Sequence, residues 1–278
     1  MISIKELRIK TQNSHPNWNN QPKDLLFPRF FSIYITWVIL HTSITPNTIT
    51  ISGILFAILS SYLIIENHLL LASFCIFITV LLDFSDGEVS RYKNQSSMEG
   101  IYLDKVYDFM VRPIIISGVV IYYIIANQTL YSYITGFIFV ISALIYLLVV
   151  EYAKTITIND NILKQLDRMN QISKSKHIDI EKKESLIKIN LKKLLSFYDF
   201  PNIFFLLILV LLINNYFTEF AFLKFDMINF YISLYSFTYP LIIMLFIFNN
   251  VKHKRIENEF HIEYKKTISK MQIHKLKK

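Results

Sequence analysis

Four aspartates are set where a lipid-compatible chain should not carry them. Asp83 and Asp86 lie in "LLDFSD", which follows directly on "LLLASFCIFITV", and Asp104 and Asp108 open the next apolar run. Spacings of three and four place each pair on one face of its own helix. A short polar connection, 92–99, joins the two helices, which are expected to be antiparallel neighbours. Folding that hairpin brings all four carboxylates to a similar depth near one membrane face. A charge at the bilayer centre costs about 2.5–3.5 kcal/mol on insertion scales, and clustered carboxylates repel one another unless cations intervene. Hard oxygen donors of this kind suit Mg²⁺, Mn²⁺ or Ca²⁺, and the scarcity of Glu, His and Cys nearby does not suit zinc. Two such ions held by four Asp would leave sites for phosphate oxygens, the arrangement used in phosphoryl transfer. Gly87 and Gly100 clear a helix face for a ligand, Ser90 is small, and Arg91 offers a planar fork for a phosphate. Arg112, one turn beyond Asp108, reads either as an intrahelical partner or as a further phosphate contact.

The elements that position these residues are membrane helices. Apolar residues make up 53% of the 278-residue chain and charged residues 18%, with 23 Phe and 17 Tyr. Soluble domains average roughly 25% charged residues. Six apolar stretches of about the length needed to cross a bilayer fall near 46–65, 69–91, 100–125, 130–152, 197–214 and 228–249. The fold class expected is therefore all-α, a polytopic membrane bundle of six transmembrane helices with an N-terminal interfacial helix. That interfacial helix lies within 25–44, too short past Pro28 to span, with Phe30, Phe31, Tyr34 and Trp37 suited to the headgroup region. Pro46 fits the first turn of the first span, and Thr45 or Asn47 can cap it.

The net charge of +8 comes from Lys and Arg beside apolar spans, which favours anionic membrane lipids as partners over nucleic acid. Basic residues gather in the arm 1–24, the 91–99 loop, the 154–199 segment and the tail 251–278. By the positive-inside rule both termini and the acid cluster then face the cytoplasm. The portion "ESLIKINLKKLL" of the 154–199 insertion reads as a basic amphipathic helix lying on lipid. The single cysteine, Cys75, excludes an intrachain disulfide and reads as buried filler. The opening residues are not patterned as a cleavable signal.

Asp86-Gly87-x-x-Ser90-Arg91, eight residues, then Gly100-x-x-x-Asp104-x-x-x-Asp108, with Asp83 three residues ahead, resembles the signature of the CDP-alcohol phosphatidyltransferase family. Ser90 stands where the pattern usually has Ala, with small size kept. "TPNTIT" is similar to the family's opening of its first span, and the family's domain is expected to cover 45–250. The resemblance implies transfer of a substituted phosphate, phosphatidyl being the usual one, from a CDP-linked donor such as a CDP-diacylglycerol to an alcohol acceptor. CMP is released, in phospholipid biosynthesis. It further implies Asp83, Asp86, Asp104 and Asp108 as ligands of two ions, Mg²⁺ or Mn²⁺, with Asp108 also the general base. Gly87, Ser90, Arg91 and Gly100 line the donor pocket, and a homodimer is usual. Two rival readings remain at this level. One is a divalent-cation transporter, whose ligands should lie near the midplane. The other is transfer of a small CDP-linked headgroup to a lipid acceptor.

Overall fold

A computed structural model describes residues 3–12, 26–95, 97–153, 156–157, 201–219 and 226–252. Most of the 154–199 insertion, its proposed amphipathic helix, residues 13–24 of the arm and the tail beyond Lys252 lie outside the described residues. Every regular element described is helical. In chain order they are α1 (Ile4–Thr11), α2 (Leu26–Ile39), α3 (Pro46–Ile65), α4 (Leu69–Lys93), α5 (Met98–Asn127), α6 (Leu130–Tyr146), α7 (Asn202–Glu219) and α8 (Met227–Lys252). A π-helical segment, Leu147–Ala153, continues α6.

Five helices are long and apolar enough to cross a bilayer: Pro46–Ile65, Leu69–Lys93, Met98–Asn127, Leu130–Val149 and Met227–Phe248. The span expected near 197–214 appears as a shorter apolar helix, Asn202–Tyr216, so the described residues hold five full-length spans and this shorter one. Large apolar side chains such as Leu55, Tyr62, Leu70, Phe74 and Phe137 point outward. That pattern suits lipid, where backbone groups are satisfied within each helix. The chain is an integral membrane protein.

Two compact units divide the chain: residues 1–140 with 193–235, and residues 141–192 with 236–278. In the second, Tyr146 and Tyr239 are buried edge to face, with ring centroids 5.5 Å apart. The acid hairpin belongs to the first unit, which is built around α4. That helix touches α1, α2, α3 and α7. Buried Ile39, Ile49, Leu82 and Val89 tie α2, α3 and α4 into one apolar cluster.

Local chemistry explains the helix ends. Thr45, one of the two expected caps, accepts from the Thr48 amide at 3.3 Å, with Pro46 in the first turn. α4 stops at Asn94, whose φ of 52° is left-handed, a conformation that Asn tolerates better than most residues. α5 restarts three residues later, where Ser97 Oγ accepts from the Gly100 amide at 3.0 Å. Ser90 Oγ donates to the Gln95 carbonyl at 3.1 Å. The hydroxyl that replaces the usual Ala methyl therefore closes the hairpin loop.

The arm holds an element not anticipated from its polar composition. α1 begins at a capping box in which Ser3 and Glu6 exchange hydrogen bonds at 3.2 and 3.3 Å. Backbone and hydroxyl donation from Ser3 lowers the Glu6 carboxyl below its ordinary range. Leu7 is fully buried.

Candidate functional site

The helices α4 and α5, expected as antiparallel neighbours, share a cavity and a hydrogen bond within a three-helix arrangement with α3. Both helices pack on α3, and they scarcely approach one another directly. Tyr107 shows why. Its ring lies where a Cβ on Gly53 of α3 would come within 2.6 Å, and its hydroxyl donates to the Thr79 carbonyl of α4 at 2.7 Å. A short loop dictates that two helices are connected; an intervening tyrosine decides how closely they meet.

Between the three helices lies a cavity of about 170 Å³. α3 contributes Pro46, Asn47 and Thr50, and α4 contributes Asp86, Gly87 and Ser90. The loop and α5 complete it with Gln95, Ser97, Gly100, Ile101 and Asp104. Five of the residues singled out by type and spacing, Asp86, Gly87, Ser90, Gly100 and Asp104, thus share one cavity. Asp83, Arg91 and Asp108 are outside its lining. Asp83 lies one turn deeper on α4, within Coulombic range of Asp86, Asp108 and Asp104. Asp108 lies one turn deeper than Asp104 on α5, its side chain 28% exposed against 51% for Asp104. Asp86 is buried, and its Oδ2 accepts from Thr50 Oγ1 at 2.6 Å.

The donor set can be tested against a metal by its chemistry. Carboxylate oxygens without sulfur or imidazole suit a hard divalent ion. Lys105 Nζ lies 3.0 Å from Asp108 Oδ2 and 3.5 Å from Asp104 Oδ2, so a cationic group already bridges two of the four acids. Among the described residues no three His, Cys, Asp or Glu side chains are gathered closely enough to hold an ion. Donor type therefore fits a divalent cation, while the present spacing is wider than a coordination shell.

Arg91 is held from an unexpected side. Its Nε donates to the Thr11 carbonyl of α1 at 2.8 Å. The guanidinium flanks Gly87, where a Cβ would stand 3.2 Å from Nη1. Arg112 is buried, 3% exposed, one turn beyond Asp108. His41 is exposed just beyond the end of α2, its Nδ1 2.7 Å from the Trp37 carbonyl.

The residue that spacing did not pick out is Glu88, within the same motif but on the opposite side of α4. It is 1% exposed. Its Oε1 accepts from Gln12 Nε2 and Ser32 Oγ, and its Oε2 from Thr36 Oγ1, each at 2.7 Å. Hydrogen bonds to a charged group contribute about 1.5–3 kcal/mol each, and a buried carboxylate needs several. The signal was the acid itself, a further carboxylate two residues after Asp86 at the end of an apolar helix.

These features define a class: an integral membrane protein whose helix hairpin presents acids and glycines to one cavity at a helix end. Residues 43–178, spanning α3 to α6, match the family model of CDP-alcohol phosphatidyltransferase. The motif residues all fall within the match. The match suggests phosphotransfer from a CDP-alcohol to an acceptor, a reaction for which that family generally uses divalent metal ions. A search of curated proteins gave no match.

Proposed function

We propose that this protein transfers a phosphatidyl group from a CDP-diacylglycerol-like donor to an alcohol and releases CMP, in phospholipid synthesis at the cytoplasmic face. One observation carries the reading: Asp86, Gly87 and Ser90 of α4 share a cavity with Gly100 and Asp104 of α5. In this reading 45–250 is the catalytic domain. Asp83, Asp86, Asp104 and Asp108 would hold two Mg²⁺ or Mn²⁺ ions, which when bound supply charge neutralisation to the diphosphate and the departing CMP. Asp108 takes the proton of the acceptor hydroxyl as its oxygen attacks the β-phosphorus, the one bearing the lipid alcohol. The bond from that phosphorus to the CMP oxygen breaks, and the electron pair leaves with CMP. Lys105 must swing from Asp108 for that carboxylate to serve as base. Gly87 and Gly100 let the nucleotide approach backbone, and Ser90 sets the hairpin loop through Gln95.

Purified protein should release CMP from CDP-diacylglycerol when offered an alcohol from a panel of glycerol phosphate, inositol phosphate and serine. Chelation should abolish the release and Mg²⁺ or Mn²⁺ restore it. Release seen only with a small CDP-linked headgroup and a diacylglycerol-like acceptor would reverse the assignment of donor and acceptor. No release with any pair, alongside Mn²⁺ uptake into protein-containing vesicles, would replace the enzyme by a transporter.

Arg91→Lys should raise the donor KM with a smaller change in kcat, because an ammonium cannot both donate to Thr11 and fork onto a phosphate. Equal KM values for the two proteins would remove Arg91 from the donor site.

A further inference from the structure

We infer that Glu88 is a positioning residue which, through α1, sets the Arg91 guanidinium at the edge of the donor cavity. The inference rests on the donor reading above for the meaning of the effect, but the coupling itself is independent of it. Glu88 and Arg91 lie on the same helix and are joined through another. Gln12 Nε2 donates to Glu88 Oε1 at 2.7 Å and to the Arg29 carbonyl at 2.8 Å, holding the end of α1 against α4 and α2 at once. The adjacent Thr11 is buried, and its carbonyl accepts from Arg91 Nε at 2.8 Å. Ser32 and Thr36 complete the carboxylate shell from α2.

The consequence for Arg91 is geometric. A free arginine side chain samples many rotamers, and ordering it on a ligand has an entropic cost. Tethering Nε to Thr11 removes much of that freedom before the ligand arrives and leaves the terminal nitrogens beside Gly87. The α1–α2 arm thus becomes a supporting wall of the nucleotide site as well as a surface element.

Three variants test this in the full-length protein in detergent. Glu88→Ala removes the hub, Glu88→Gln keeps an acceptor of the same shape, and Gln12→Ala cuts only the link to α1 while leaving α2 attached. Hydrogen exchange of the α1 amides and the Kd for CDP are measured, together with kcat and donor KM. Loss of α1 protection in Glu88→Ala and Gln12→Ala is expected, with CDP Kd and donor KM raised about tenfold, one increment of 1.4 kcal/mol. kcat should change little, and Glu88→Gln should recover much of both properties. If Glu88→Ala fails to fold, Gln12→Ala carries the test alone. Unchanged α1 protection, or lost protection with wild-type CDP affinity, would overturn the inference. So would a fall in kcat without a rise in KM. A wild-type protein that binds no CDP would instead refute the donor reading; the Glu88–α1 coupling would then be decided by the exchange data alone.

Discussion

Asp108→Asn should lower kcat by about 10²–10⁴, the range for loss of a positioned general base, while CDP affinity stays largely intact. The substitution keeps the side-chain volume and an oxygen for Lys105, which lies 3.0 Å from Asp108 Oδ2 in the present structure. Fold and packing should therefore survive, as a thermal unfolding curve in detergent would verify. What Asn lacks is proton affinity and full ligand charge. Asp108 lies a turn deeper than the cavity-lining Asp104, where an acceptor hydroxyl would enter behind the diphosphate rather than beside the nucleotide. For that reason the loss should fall on turnover. A variant that turns over normally once donor is bound, but binds CDP poorly, would move Asp108 from the acceptor side to the donor side.

Much of this site can be read from residue types and spacing because its signals are local. The intervals between Asp83, Asp86, Asp104 and Asp108 are helical periods, and an acid in an apolar run is costly enough to demand a reason. The Thr45–Pro46 start of α3 is similarly local chemistry. The missing parts are those created by residues far apart in the chain. Glu88 is paired with residues 52 to 76 positions away, so no window of sequence shows that its charge is satisfied. Thr50 and Asn47 belong to the cavity because α3 lies between α4 and α5, a placement set by Tyr107 fitting against Gly53. Connection length alone does not contain that fact. The start of α1 is again local chemistry, because Ser3 and Glu6 form a recognisable capping box.

Gly118→Val should give the largest loss of stability. α3 and α5 cross at this glycine, where an added Cβ would come within 2.8 Å of the Ser61 Cα and 2.9 Å of its Cβ. The obstruction is partly backbone, so no rotamer change relieves it and the helices must separate. Overpacking of this kind costs about 1–3 kcal/mol and sometimes more. Any gain in helix propensity over glycine is under about 1 kcal/mol, so the clash wins. The unfolding midpoint should fall by about 2–4 °C per kcal/mol for a chain of this size class. Activity should fall with it, because α3 carries Asn47 and Thr50 while α5 carries Gly100 and Asp104. Ser61→Gly in the same protein should restore only part of the loss, since the Cα remains. Gly100→Ala is the contrasting case. Its Cβ would meet only Ser97 Oγ at 3.3 Å and Asn47 Oδ1 at 3.5 Å, so the midpoint should hold while the cavity narrows and donor KM rises. A Gly118→Val protein that unfolds with the wild type would show that α3 and α5 do not meet here. The wall that brings Thr50 to Asp86 would then need another support.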